Sequence, residues 1–232
     1  MPIAVNTARR RESVLPTKFE RIARRYDFAN TVLSLGLHRG WKRALIQTLS
    51  IQPGDLVVDA GTGTGDLAHL AAAQGARVVG VDLSPAMLSV AAQRGGVLQL
   101  VRGDLCCLPL ADRSAAAIGC AFVLRHLPDL REAFGEFRRV LAPGGRLAVL
   151  EFGRPASWLR PVYETLSARL IPLIGGWLTG DRGAYEFLVR SIRSFPEPDQ
   201  VAAVLRSTGF RNVRWRPLAA GIAILHTAST AP

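Results

Sequence analysis

Asp59-Ala60-Gly61-Thr62-Gly63-Thr64-Gly65-Asp66 sets three glycines two residues apart, directly behind the apolar run Leu56-Val57-Val58 and ahead of the helix formers Asp66 to Ala73. A strand that enters a helix this abruptly needs a tight turn. Glycine at 61, 63 and 65 removes Cβ where positive φ is required and where a ligand must approach the main chain. The spacing is GxGxG rather than the GxGxxG of dinucleotide folds, and no GKS or GKT follows, which excludes a phosphate-cradling P-loop. A second apolar run, Arg77 to Asp82, ends in an acid seventeen residues after Gly65. In a right-handed βαβ unit that acid lies at the carboxyl edge of the neighbouring strand, placed to accept hydrogen bonds from both hydroxyls of a ribose. A third run, Val97 to Arg102, leads into Gly103-Asp104-Leu105. Asp59, Asp82 and Asp104 are therefore expected to meet at one crevice. No metal-ligand cluster and no nucleophile elbow accompany them, so neither a metal nor a covalent intermediate is expected.

The elements that position these residues follow from the pattern around them. Ser84-Pro85 starts a helix, with Ser84 as N-cap and Pro85 in the first turn. Ala115 to Phe122 reads as a fourth strand, ending in Val123-Leu124-Arg125-His126-Leu127. Leu130 to Leu141 reads as a helix, which Ala142-Pro143-Gly144-Gly145 stops before a fifth strand, Arg146 to Phe152. Residues 158 to 195 read as inserted helices and Asp199 to Ser207 as one more, ended by Gly209. Asn212 to Arg216 and Ile222 to Thr227 read as a closing antiparallel pair. Before the first strand, Phe19, Ile22, Ala23, Tyr26, Val32, Leu33 and Leu35 recur at helical spacing. Strand and helix alternate throughout, which predicts an α/β fold with a doubly wound, mostly parallel seven-stranded sheet.

At 232 residues, with 49% apolar and 20% charged residues, the chain suits one domain. It divides into an N-terminal helical cap (1–50), a core (51–153), a helical substrate cover (154–196) and a last helix with closing strands (197–232). Cys106, Cys107 and Cys120 have no CxxC spacing and read as reduced core thiols of a cytosolic protein. The net charge of +11 is uneven: residues 1–50 hold ten Lys/Arg against three acids, 51–153 nine against ten, and 154–232 ten against five. The basic flanks suggest a face that meets an anionic surface, membrane headgroups or nucleic acid. The longest apolar stretch, Trp158 to Leu178, is broken by charges, prolines and a Gly175-Gly176 pair, so a spanning helix is not expected. Met1 to Ser13 lacks an apolar core, so neither is a secretory signal.

The glycine turn with its acids resembles the S-adenosylmethionine site of class I methyltransferases. The resemblance implies that Gly61, Gly63 and Gly65 line the methionine part of that cofactor, that Asp82 binds the ribose, and that Asp104 and Leu105 face the adenine. Asp59, Thr64, Leu83 and Ala121 join them as cofactor-binding candidates. Further strings resemble the UbiE/MenG family of menaquinone and ubiquinone C-methyltransferases. They are Tyr26-Asp27…Asn30, Leu33-Ser34…Gly36…His38-Arg39…Trp41-Lys42-Arg43, Phe122…Leu124-Arg125, Arg139-Val140-Leu141…Pro143-Gly144-Gly145-Arg146…Leu150-Glu151-Phe152, Tyr185…Leu188…Ser191-Ile192…Phe195-Pro196, Ala220-Gly221-Ile222 and Leu225-His226. The likeness runs from about residue 18 to 227. The chain departs from that family at His126, where an Asn is usual, and at Ala115-Ala116, where an acidic Phe-Asp pair is usual.

Family membership would imply methyl transfer to a ring carbon of a polyprenylated naphthoquinol or benzoquinol, demethylmenaquinol first. A cytoplasmic protein would reach such a substrate by peripheral contact with the membrane. The phenol proton points to His126, Arg125 and Tyr26 as catalytic candidates, with His226 behind them. Histidine titrates near neutrality, and Arg125 could stabilise a phenolate. Another phenolic acceptor would keep every cofactor feature. An RNA methyltransferase would explain the charge, yet the Asn/Asp-Pro-Pro-Tyr/Phe motif is missing, so no nucleic-acid partner is expected. A non-catalytic cofactor-binding protein and a homo-oligomer are left open.

Overall fold

The computed structural model describes residues 34, 36–96, 98–156, 158 and 190–232. Among them, the apolar runs become parallel strands β1 (Leu56–Ala60), β2 (Arg77–Asp82), β3 (Leu98–Arg102), β4 (Ala115–Ala121) and β5 (Leu141–Phe152). The last two strands, β6 (Arg211–Leu218) and β7 (Ala223–Ser229), pair with each other, and β7 runs antiparallel to β5. The sheet order is β3-β2-β1-β4-β5-β7-β6, the doubly wound arrangement that the alternation predicts. Crossing from β1 outward to β3 and then back to β4 leaves a gap above the carboxyl ends of β1 and β4, where ligands bind in open α/β sheets.

Period-two alternation explains how one sheet carries two cores. Val57 packs on one face and Val58 on the other, and in β5 Ala148 and Leu150 face opposite to Leu147 and Val149. The first face is covered by α1 (Leu37–Thr48), through Trp41 and Leu45, and by α2 (Asp66–Ala72), through Leu67 and Ala71. The second is covered by α4 (Leu130–Val140), following α3 (Pro85–Gln93) in the chain, and by α5 (Pro198–Ser207). These present Phe134, Phe137, Val201 and Leu205, all fully buried.

Local chemistry sets the helix starts. Ser84 Oγ accepts from Met87 N at 3.3 Å with Pro85 behind it, and Asp129 Oδ1 accepts from Arg131 N at 2.7 Å. One boundary differs from expectation. Ala142-Pro143-Gly144-Gly145 does not precede the fifth strand but lies within it: Leu141 already pairs with Ala115, while Arg146 pairs with Ala117. The extra residues form a bulge pinned by the C-terminal segment, where Thr230 Oγ1 donates to Ala142 O at 2.6 Å and Gly144 N donates to Ala231 O at 2.7 Å. The cysteines also divide differently. Cys120 is a core thiol, but Cys107 is exposed and Cys106 half-buried, because both sit in the turn after Asp104.

Tyr26 and the expected helices before residue 34 lie outside the described residues, as does most of the expected cover over 158 to 195, of which residues 190–194 are helical. Among the described residues, no helix is long and apolar enough to cross a membrane.

Candidate active site

The turn after β1 is fastened to its neighbour strand: Gly61 N and Thr62 N both donate to Val81 O, at 2.8 and 3.0 Å. Gly61 has φ +77°, and a Cβ there would come within 2.4 Å of Val123. Only glycine fits. Gly63, at φ +55°, lines the crevice with nothing within 4 Å of where its Cβ would project, so the space beside it is open to a ligand. The same residue's N–H donates to Asp82 Oδ2 at 2.8 Å, and Ser84 N donates to Oδ1 at 2.8 Å. Burial raises the Asp82 pKa, against the backbone N–H groups of Ser84, Gly63 and Leu83 that favour its charged form. Each carboxylate oxygen retains a lone pair for a ligand hydroxyl.

Asp82, Leu83, Asp104, Leu105, Ala121, Gly61, Gly63 and Thr64 all line one crevice. Asp104 Oδ1 is fixed by Cys106 N at 2.9 Å. Gly65 stands apart from this wall and starts α2, at φ +87°. Asp59 does not line the crevice either. Its Oδ2 turns under the loop to accept from Thr62 Oγ1 at 2.7 Å and from Ala68 N, in the first turn of α2, at 2.9 Å. Burial pushes its pKa up to about 6, although Thr62, Lys42 and Ala68 pull the other way. Asp59 therefore shapes the turn from below rather than touching what the turn holds.

The opposite wall leaves β4. Phe122 takes the left-handed region at φ +61°, a strained conformation for a bulky side chain. Its N–H donates to Leu150 O at 2.8 Å, and its ring packs 4.5 Å from that of Phe152 and 6.3 Å from that of Trp41, centroid to centroid. Phe122, Val123, His126 and Leu127 line the crevice, but Arg125 is turned away from it. The Arg125 guanidinium donates through Nη1 to Phe122 O at 2.5 Å and to Glu151 Oε1 at 2.7 Å, and lies over the Phe152 ring. The two side chains of this ion pair are only 2% and 1% exposed. Direct contact of Arg125 with a phenolate, the role suggested by sequence, is not what this geometry offers. It clamps the turn that carries Phe122 and His126. Burial, followed by the charge of Arg125, lowers the His126 pKa to about 2, so its imidazole is neutral. His226 belongs elsewhere: it is buried on β7, with Nε2 3.1 Å from Pro198 O, and burial lowers its pKa too.

His38 and Lys42 on α1 also line the crevice; the sequence offered them as part of the family pattern and gave them no role in the site. They are four apart, on a helix face beside the apolar Trp41 and Leu45, and that spacing is the signal that could have found them. His38 Nδ1 is 2.8 Å from Ser34 Oγ. Lys42 Nζ donates to Asp66 Oδ2 at 2.9 Å, and Arg94 Nη1 to Asp66 Oδ1 at 2.6 Å.

A family model described as the ubiE/COQ5 methyltransferase family matches residues 7–230. The chain belongs to that family. Among curated relatives, the chain is 41% identical to the Ubiquinone/menaquinone biosynthesis C-methyltransferase UbiE of Rubrivivax gelatinosus, over 96% of this chain and 89% of that one. It is 43% identical to the Demethylmenaquinone methyltransferase of Deinococcus radiodurans, over 88% of each chain. Solved structures share the fold at lower identity. One is a chain of the complex between the Haloferax volcanii Trm112 methyltransferase activator and a methyltransferase, with TM-score 0.68, 19% identity, and coverage of 95% of this chain and 100% of that one. Another is Haemonchus contortus phosphoethanolamine N-methyltransferase 2 in complex with S-adenosyl-L-methionine, with TM-score 0.63, 17% identity, and coverage of 83% and 53%. This ubiE/COQ5 family member is thus an S-adenosylmethionine-dependent methyltransferase, and its crevice suits the cofactor. The open space at Gly63 leaves room beside the main chain, and the half-buried Asp82 presents paired acceptors for a ribose.

Proposed function

We propose that this methyltransferase alkylates a ring carbon of a polyprenylated quinol, with demethylmenaquinol as acceptor. The observation that carries the reading is how the crevice divides. Asp82 and Asp104 hold one end, and an apolar wall of Ala121, Phe122, Val123 and Leu127, interrupted by a neutral His126, forms the other. That wall suits an aromatic ring bearing a hydroxyl. The Deinococcus relative, at 43% identity and named for demethylmenaquinone, supports the naphthoquinol. The Rubrivivax relative, whose name includes ubiquinone, supports a benzoquinol as the second acceptor.

When bound, S-adenosylmethionine supplies an electrophilic methyl group on a sulfonium. Asp82 holds the ribose, and Asp104 and Leu105 the adenine. Neutral His126 accepts a hydrogen bond from the quinol O–H, drawing density toward the ring carbon without adding a charge to an apolar wall. Arg125 acts one step removed, fixing the Phe122 carbonyl and Glu151 so that the turn presents His126. Tyr26 is assigned a part in proton handling on the sequence pattern alone. Phe122, Val123 and Leu127 keep water from the ring and hold it in line, and the proton that the quinol gives up as its ring is restored leaves to solvent.

The polyprenyl tail calls for contact with a bilayer. The exposed Arg39 and Arg43 of α1 and Arg211, Arg214 and Arg216 of the edge strand β6 support peripheral binding to anionic headgroups, weakened by salt. The deciding experiment follows labelled methyl from the cofactor into reduced demethylmenaquinone, a reduced ubiquinone precursor and tRNA. Label on a ring carbon of the naphthoquinol is expected. Label in tRNA with neither quinol modified would overturn the reading.

A further inference from the structure

Among the described residues that line the crevice, Lys42 is the one Lys or Arg. Its ammonium sits at the glycine-turn end, bonded to Asp66 in the first turn of α2 and close enough to Asp59 beneath the turn to act on its titration. The carboxylates on the wall, Asp82 and Asp104, belong to the β2 and β3 side. The cofactor has a matching asymmetry, with a nucleoside at one end and an amino-acid carboxylate at the other. A carboxylate entering a partly desolvated crevice needs a cationic donor.

We propose that Lys42 binds the carboxylate of the cofactor's methionyl group, exchanging the Asp66 carboxylate for it. The reading rests on the crevice being the S-adenosylmethionine site. Two features make the exchange feasible. Lys42 is 15% exposed and carries its charge on a flexible four-carbon stem, so its ammonium can swing without moving α1. Asp66 is not stranded when Lys42 leaves, because Arg94 Nη1 still donates to its other oxygen at 2.6 Å. Asp66 therefore holds the lysine at the turn in the meantime, in the role of an internal carboxylate, and cofactor binding fastens α1 to the glycine turn.

Calorimetry with two nucleosides tests this. S-adenosylhomocysteine keeps the amino-acid part, whereas 5′-methylthioadenosine lacks it. Lys42→Met should weaken S-adenosylhomocysteine by about tenfold or more and leave 5′-methylthioadenosine unchanged. Lys42→Arg should restore part of the loss, and Asp66→Asn should leave S-adenosylhomocysteine bound as tightly as before or more so. Equal weakening of both nucleosides by Lys42→Met, or an Asp66→Asn variant that reproduces its loss, would reduce Lys42 to a latch between helices and overturn the proposal. So would a wild-type chain that binds both nucleosides with one affinity. A wild-type chain that binds neither overturns the cofactor site itself, and the Lys42 assignment with it.

Discussion

Asp59→Asn separates shaping the cofactor turn from touching the cofactor. In the unfolded chain Asp59 releases its proton near 3.8, and in the folded chain burial raises this to about 6. Between these values the native state binds more protons than the unfolded one, so the Asp59 contribution to stability falls as pH rises through that window. At 1.36 kcal/mol per pH unit, the loss is about 3 kcal/mol by neutrality. Asparagine has no such titration, and its amide oxygen can accept from Thr62 Oγ1 and Ala68 N as Asp59 Oδ2 does. Urea unfolding of both proteins from pH 4 to 7 should therefore show a difference that is small at the acid end. It should grow in favour of the variant by up to about 3 kcal/mol above pH 6. Taking the difference between the two proteins cancels the other carboxylates, including Asp66, which Lys42 and Arg94 hold at about 2 despite its burial. A pH-independent difference, or one that grows in favour of the wild type, would refute the burial account. Because Asp59 does not line the crevice, S-adenosylhomocysteine affinity should stay within about threefold. A larger loss would return Asp59 to the binding site.

Asp82→Ala removes the acceptors for the ribose and frees the Gly63 and Ser84 N–H groups together, so calorimetry should show cofactor affinity weakened at least about tenfold. His126→Asn should keep most of its kcat, and the kcat/KM profile should contain no ionisation near pH 6–7 that the variant lacks, because the wild-type imidazole is already neutral there. A profile that loses such a limb would make His126 a titrating base. Glu151→Gln leaves the buried Arg125 without its counter-ion and should cost about 3–5 kcal/mol in urea unfolding, whereas Arg125→Met with Glu151→Leu should cost less than that single change. A near-neutral Glu151→Gln would show that the pair is not desolvated as the geometry indicates.

The fold was legible because its signals are local. Strand runs, the Ser84 cap and the glycine turn each lie within a few residues of what they specify. The site was legible where backbone geometry alone aims the residue, as with Asp82 and Asp104 at strand ends. Asp59 was placed at the crevice because it too ends a strand, but alternation along β1 puts it on the face of Val57, which is covered by α2, and the Ala68 N–H of that helix claims its carboxylate. Arg125 was given to the substrate because its partner Glu151 is twenty-six residues away. The two become neighbours only when β4 and β5 are known to be adjacent in the sheet. Lys42 and His38, quoted only within the family pattern, were given no site role for the same reason, lying well before the turn they face.

His126 shows the step that sequence could not supply. Histidine was read as a titrating group because its ordinary pKa falls near neutrality, at a position where an Asn is usual in the family. Burial and the neighbouring Arg125 remove the charge, and a neutral imidazole offers the crevice an uncharged acceptor, as the amide oxygen of an asparagine does. The substitution therefore preserves the one property an apolar wall beside a buried cation can accommodate, a hydrogen-bonding group without a charge of its own. A protonated histidine there would stand against Arg125, whose own charge is already balanced by Glu151.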